Sequence, residues 1–277
     1  MQIARTIADM KKLRRECTGS VGLVPTMGFL HEGHLALVKQ ARSENPVAVA
    51  TIFVNPTQFG PGEDFKSYPR DLDRDLALLE KVRTDIVFIP SDKEIYPGGY
   101  NTWVEVRGIT AKLEGKSRPT HFQGVTTVCN RLFNIIEPDR AYFGQKDAQQ
   151  AIVIQRMVAD LNMNLDIVVC PTVRESDGLA MSSRNTYLTK DERVSAVVLY
   201  KSLCLAKDMY GKGERDAAAI KRAMESLISG VAAAKLDYIS IADTGTLDEV
   251  DTIRGRVLVS LAVRLGKPRL IDNIILG

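Results

Sequence analysis

The stretch VGLVPTMGFLHEGHLALVKQA, residues 21–41, passes from one backbone period to another within twenty residues. Val21–Pro25 is a short β-branched run that reads as a buried strand. Thr26–His34 is polar and glycine-bearing, and beyond it Leu35, Val38 and Ala41 recur at the three- and four-residue steps of a helix face. A strand, a tight loop and a helix in this order form half of a βαβ unit. The same alternation continues through the first half of the chain. Val47–Val54, Asp85–Pro90, Arg140–Phe143 and Asp166–Cys170 read as further buried strands. The strongest helix lies between them, at Val125–Ile136, where Val125, Val128, Cys129, Leu132, Phe133 and Ile136 share one face before Pro138 ends the turn. The pattern predicts an α/β fold with a doubly wound, Rossmann-like parallel sheet. Such a sheet takes its ligand outside the carboxyl ends of its strands, where the loops at 26–34, 55–70 and 144–147 gather.

After about residue 175 the pattern changes. Two helical stretches, near 190–210 and 214–232, precede strand-like runs at Asp237–Ala242, Arg256–Ala262 and Arg269–Leu276, which predicts a second, smaller α+β C-terminal domain. The expected division is 1–175 and 176–277, with the first domain binding nucleotide and substrate and the second closing over the nucleotide. The turn-rich Arg174–Arg184 reads as the linker between them.

Composition narrows the function classes. The 277 residues carry 37 Lys and Arg against 34 Asp and Glu, and a net charge of +3 is too small for a nucleic-acid or membrane surface. Cys17, Cys129, Cys170 and Cys204 stand far apart without CxxC spacing, and Cys129 and Cys204 fall on apolar helix positions. They read as reduced core thiols. Met1–Arg15 is amphipathic and charged, unlike a signal peptide, so a cytoplasmic protein is expected.

Three polar constellations interrupt the apolar pattern. His31 and His34, two of only three histidines, sit at a predicted helix N-terminus, where backbone N–H groups and the helix dipole favour phosphate. Capping and turn chemistry is the plainer account of the same residues. Zinc is disfavoured, because a metalloprotease-like site needs histidines four apart on one helix face and these are three apart with Gly33 between them. Gly144-Gln145-Lys146-Asp147 and Gln150 lie where a strand meets the next helix. Lys146 there can neutralise phosphate, or Asp147 and Gln150 can simply cap the helix. Met181-Ser182-Ser183-Arg184 offers two hydroxyls and a guanidinium to a polyphosphate, or forms a plain polar linker.

Taken together, Pro25–Gly28 with His31–His34, Phe53–Phe59, Arg118–Val125, Phe143–Gln150 and Met181–Asn185 resemble the pantothenate synthetase family, members of the HxGH nucleotidyl-transferring superfamily, in order and spacing across the chain. Thr57, Thr120 and Ala148 depart from residues found in some relatives and flank the polar groups. The resemblance implies an ATP-dependent ligase that joins pantoate to β-alanine through a pantoyl adenylate, releasing pyrophosphate and AMP. It implies ATP contacts from Met27, Gly28, Phe29, Leu30, His31, Glu32, Gly33, His34, Gly144, Gln145, Lys146, Asp147, Val173, Met181, Ser182, Ser183 and Arg184. Of these, His34, His31, Lys146 and Arg184 would serve the chemistry. Gln58 and Gln150 would hold pantoate, with Gln58 also meeting β-alanine. The neighbourhood of Asp75 would help place Mg²⁺, although an acidic first turn also suits the helix dipole. Asn55, Tyr68, Arg118 and His121 are second-rank candidates, Phe59–Arg70 is either a mobile cover over the intermediate or an ordinary surface loop, and a homodimer is the expected assembly. The competing readings are a related nucleotidyltransferase with a phosphorylated acceptor, which would need extra cations, and an ATP-sensing module, which could discard His34 or Lys146.

Overall fold

The computed structural model describes residues 1–277, which form two compact units. The first holds Met1–Gly144 and Gln149–Pro171, and the second Gln145–Ala148 and Thr172–Gly277.

Elements of the first unit run β1 (Gln2–Ala4), α1 (Ile7–Glu16), β2 (Val21–Thr26), α2 (Glu32–Glu44), β3 (Val47–Ile52), α3 (Leu72–Lys81) and β4 (Ile86–Phe88). They continue with α4 (Asp92–Ile95), α5 (Leu113–Ser117), α6 (His121–Ile136), β5 (Arg140–Gly144), α7 (Ala148–Asp160) and β6 (Asp166–Cys170). The six strands form one sheet of order β1-β4-β3-β2-β5-β6, parallel at every pairing. From β2 the chain moves outward through β3 and β4, then returns to place β5 on β2's other side. The switch in winding therefore falls between β2 and β5, and every carboxyl end lies on one edge of the sheet. The interior strands β2 and β3 are buried nearly throughout, whereas Asp166–Cys170, expected to be a buried strand, is the edge strand β6 and buries only Cys170. Leu35, Val38 and Ala41 of α2 are buried, as are all six apolar residues expected to line α6. Leu161, by contrast, lies beyond the end of α7 and is 52% exposed.

The second unit contains α8 (Lys190–Ser195), α9 (Val198–Gly211), α10 (Ala217–Ser229), β7 (Ala234–Asp243), β8 (Val257–Leu265) and β9 (Arg269–Leu276). Its strands form an antiparallel sheet in the order β7-β8-β9. Val259, Leu261 and Val263 of β8 pack with Leu199, Leu203, Ile220 and Met224 of the helices in one core.

Some expectations are revised. Arg174–Arg184 lies inside the second unit, as a hairpin in which Arg174 is bridged to Ala180, with Leu179 and Ala180 buried, followed by the start of the short turn Ser183–Tyr187. The 190–210 helix is two helices, broken around Ala196–Val197. All four cysteines are free thiols, but Cys204 is exposed rather than in the core. The buried stripe of α9 runs through Val198, Leu199, Ser202, Leu203 and Ala206, and Cys204 lies off it. No helix is long and apolar enough to cross a membrane.

Candidate active site

In the first unit, the loop after β2 must turn sharply before α2 begins. Gly28 and Phe29 take left-handed backbone, at φ 81° and 48°. A Cβ on Gly28 would lie 3.0 Å from Ile52 and 3.1 Å from Asp75, so the position needs glycine for space as well as for φ. The turn is fastened from the side by Asp75, which is 1% exposed. Its carboxylate accepts the N–H of Phe29 at 2.6 Å and that of Leu30 at 2.7 Å. Burial raises the Asp75 carboxyl above its ordinary range, against the two N–H groups and Arg74, which pull it down. Both oxygens expected near a metal thus bind the backbone of the loop that carries the histidines.

His31 caps α2. Its Nδ1 accepts the N–H of Gly33 at 3.2 Å, while the N–H of His31 is donated to Nδ1 of His34 at 3.3 Å. The rings lie 4.0 Å apart at 35°. Because each Nδ1 is an acceptor, the proton of each neutral imidazole sits on Nε2. The local geometry therefore turns two histidines into a pair of Nε2–H donors at a helix N-terminus, an arrangement suited to phosphate oxygens.

The loop after β3 is built around Asn55, which is 1% exposed. Its Oδ1 accepts from Thr57 and from the Tyr96 hydroxyl, whose pKa burial pushes up to about 12. Its Nδ2 donates to Gln58 Oε1 and to the carbonyl of Gly124, each at 3.1 Å. Gln58 in turn donates from Nε2 to the Met27 sulfur at 3.3 Å, so the loops after β2 and β3 meet as expected. The Gln58 carbonyl accepts from Arg118 and from Nδ1 of His121 at 2.9 Å. Burial, reinforced by the Arg118 charge, lowers the His121 pKa to about 4 and keeps the ring neutral. Asn55, Arg118 and His121 thus hold the Gln58 segment.

Phe59–Arg70 contains no regular element after the short turn at Pro56–Gln58, yet it is well tied down. Phe59 packs against Phe65 and the buried Tyr68. Glu63 forms a two-pronged ion pair with Arg118, both contacts at 2.6 Å. Burial works to raise the Glu63 carboxyl, but the Arg118 hydrogen bonds and charge outweigh it and hold the group below its usual range. At the start of α7, neighbouring glutamines differ. Gln149 is buried and commits its amide to the N–H of Glu114 and the carbonyls of Ile109 and Lys112. Gln150 is half-buried in the same turn.

In the second unit, Gln145–Asp147 forms a 3₁₀ turn, with the Lys146 ammonium 3.4 Å from Asp147. Val173 opens the hairpin and accepts the N–H of Met181 at 3.0 Å. Ser182 caps the next turn by accepting from Arg184 N, and Ser183 is buried. Two residues the sequence reading passed over hold these segments. Asn273 bonds Gln145 and Lys146, and the buried Asp272 pairs with Arg174 at 2.6 and 3.0 Å. The signal for them is an Asp-Asn pair set between the apolar residues that follow Arg269 in the strand RLIDNIIL.

Comparison with known proteins places the chain among relatives. The family model described as Pantoate-beta-alanine ligase matches residues 2–275. A pantothenate synthetase of Acetivibrio thermocellus is 57% identical over 99% of both chains, and one of Herpetosiphon aurantiacus 56% over 100% of both. Among solved structures, the pantothenate synthetase of Thermus thermophilus superposes with a TM-score of 0.95 at 47% identity, covering 99% of each chain. The pantoate-beta-alanine ligase of Francisella tularensis, solved with beta-gamma ATP and beta-alanine, gives 0.82 at 38% identity over 99% of this chain and 97% of its own. With a similarity that runs through both units, and with the histidine loop, the Gln58 turn and the hairpin all inside the matched residues, the chain belongs to the pantoate-beta-alanine ligase family.

Proposed function

We propose that this protein condenses pantoate with β-alanine using ATP, releasing AMP and pyrophosphate. The pantoate carboxylate attacks the α-phosphorus, pyrophosphate departs, and the β-alanine amine then displaces AMP from the acyl carbon. A carboxylate is already ionised at neutral pH, so the first step needs positioning and charge neutralisation rather than a general base. His34 and His31 donate from Nε2 to phosphate oxygens as charge builds up, with His34 serving the transition state. Lys146 and Arg184 neutralise the phosphates, the first as a point charge and the second as a planar fork. Met27–His34, Gly144–Asp147, Val173 and Met181–Arg184 hold the nucleotide. Gln58 and Gln150 grip pantoate, since an amide offers a donor and an acceptor to a hydroxy acid, and Gln58 also meets β-alanine.

The observation that supports this reading is the pair of Nδ1 acceptors at the N-terminus of α2, which leaves Nε2 as the donor of each neutral imidazole. Mg²⁺, bound together with the ATP phosphates beside Lys146 and Arg184, would supply further charge neutralisation there. The protein works in the cytoplasm as a homodimer. A coupled assay for AMP tests the function: release should require ATP, pantoate and β-alanine together, and AMP production indifferent to pantoate would refute it. Light scattering checks the dimer.

A further inference from the structure

We infer that Asn273, on the central part of β9, is a positioning residue for nucleotide use, acting through Lys146. The inference rests on the reading of Lys146 as a phosphate-neutralising group. Asn273 is 4% exposed, and a buried amide is destabilising unless every donor and acceptor finds a partner. Here all are used on one turn. Oδ1 accepts from Gln145 Nε2 at 2.9 Å, and Nδ2 donates to the carbonyls of Gln145 and Lys146, both at 2.9 Å. Two consecutive carbonyls held by one side chain fix two peptide planes, and with them the direction in which the Lys146 side chain leaves the turn.

The anchor itself does not move freely. The N–H of Asn273 is donated to Asp272 Oδ1 at 2.8 Å, and Asp272 grips Arg174 with both oxygens. Arg174 also donates to the Gly178 carbonyl at 3.0 Å and lies 4.3 Å over the Tyr200 ring. Arg174 stands in the hairpin whose ends are Val173 and Met181. One dipeptide of β9 therefore holds both nucleotide-contacting segments of the second unit, the 145–147 turn by its amide and the 173–181 hairpin by its carboxylate. Asparagine is required at this position, because leucine or valine would leave two carbonyls without donors and aspartate would set an acceptor against them.

The test is steady-state kinetics with each substrate varied in turn, joined to calorimetric titration of ATP, on Asn273→Ala, Asn273→Asp, Lys146→Ala and the exposed β9 control Ile275→Ala. Asn273→Ala should raise the KM and the Kd for ATP about tenfold and leave the KM for pantoate within twofold. Asn273→Asp, though the closer match in shape, should be at least as impaired as the alanine variant. Ile275→Ala should leave both constants unchanged. If Asn273→Asp fails to fold, the alanine variant still decides, because a merely structural role would lower its melting temperature without separating ATP from pantoate. An ATP KM within twofold of wild type in Asn273→Ala, with Lys146→Ala impaired, would overturn the inference and leave the role of Lys146 standing. An unchanged ATP KM in Lys146→Ala would instead remove the reading beneath it, and the inference with it.

Discussion

Replacing Gly124 with alanine tests how tightly the Gln58 turn is held. Gly124 lies in the first turn of α6, where an added Cβ would stand 2.5 Å from the Thr57 carbonyl oxygen, 2.6 Å from its carbon and 2.7 Å from Gln58 N. All three are backbone atoms, so no side chain can rotate out of the way. Ordinary contact at about 3.5 Å requires the turn to retreat by roughly 1 Å. That movement breaks the 3.1 Å bond from Asn55 to the Gly124 carbonyl and carries Gln58 with it. Alanine gains about 1 kcal/mol in helix propensity, while overpacking against rigid backbone costs about 1–3 kcal/mol or more, so the net effect is destabilising. The melting temperature should drop by a few degrees, at about 2–4 °C per kcal/mol for a chain of this size. A misplacement of about 1 Å in a substrate-positioning group costs on the order of a hundredfold, and kcat/KM for pantoate should fall by about that factor. The assay is turnover with pantoate varied at saturating ATP and β-alanine, beside thermal melts. An equal or higher melting temperature with kcat/KM for pantoate within threefold of wild type would refute the reasoning.

Three further outcomes follow from the site. His34→Ala should slow adenylate formation about a hundredfold or more, roughly 3 kcal/mol, with the fold intact, and activity within threefold of wild type would rule out its role. Asp75→Asn leaves one acceptor for the two N–H groups of Phe29 and Leu30, so it should cost about 1–3 kcal/mol of stability and impair use of ATP, while the Mg²⁺ concentration for half-maximal rate stays unchanged. A shifted Mg²⁺ requirement at unchanged stability would assign Asp75 to the metal instead. For His121 the folded pKa of about 4 lies below the reference of 6.5, so its contribution is fully present above pH 6.5 and is lost as pH falls toward 4. Over that window it amounts to at most about 3 kcal/mol, and His121→Asn should flatten the acid slope measured by urea melts at pH 7 and 5. An unaltered slope would contradict the assignment.

The parallel sheet is readable from the chain because strands covered on both faces are continuous apolar runs, as Val21–Pro25 is, whereas Asp166–Cys170 reads as a buried strand by its β-branched residues and is in fact a half-buried edge strand. β1 is not readable, since three residues pairing with β4 carry too little pattern against the charged helix that follows. The histidine loop announces itself by composition, yet what sets its chemistry, the choice of Nε2 as donor, depends on which backbone N–H groups reach each Nδ1. The supports of the site are less visible still. Asn55 meets Gly124 from 69 residues away, and Asn273 meets Gln145 from 128. Such partners share no local period. Gly124 looks like an ordinary helix glycine unless the backbone against it is known. Arg174–Arg184 has the composition of a linker because hairpins and linkers draw on the same turn residues, and what separates them here, the bridge from Arg174 to Ala180 and the pairing of Arg174 with Asp272, lies in contacts that composition does not show.

The fate of one oxygen atom distinguishes the adenylate route from its alternatives. If the pantoate carboxylate attacks the α-phosphorus, the bridging oxygen of the adenylate comes from pantoate and stays with phosphorus when the amine displaces AMP. With pantoate labelled by ¹⁸O in its carboxylate, ATP and β-alanine, mass spectrometry should find one heavy oxygen in each AMP and one in the new amide. Label in inorganic phosphate accompanied by ADP, or AMP free of label, would contradict the adenylate route.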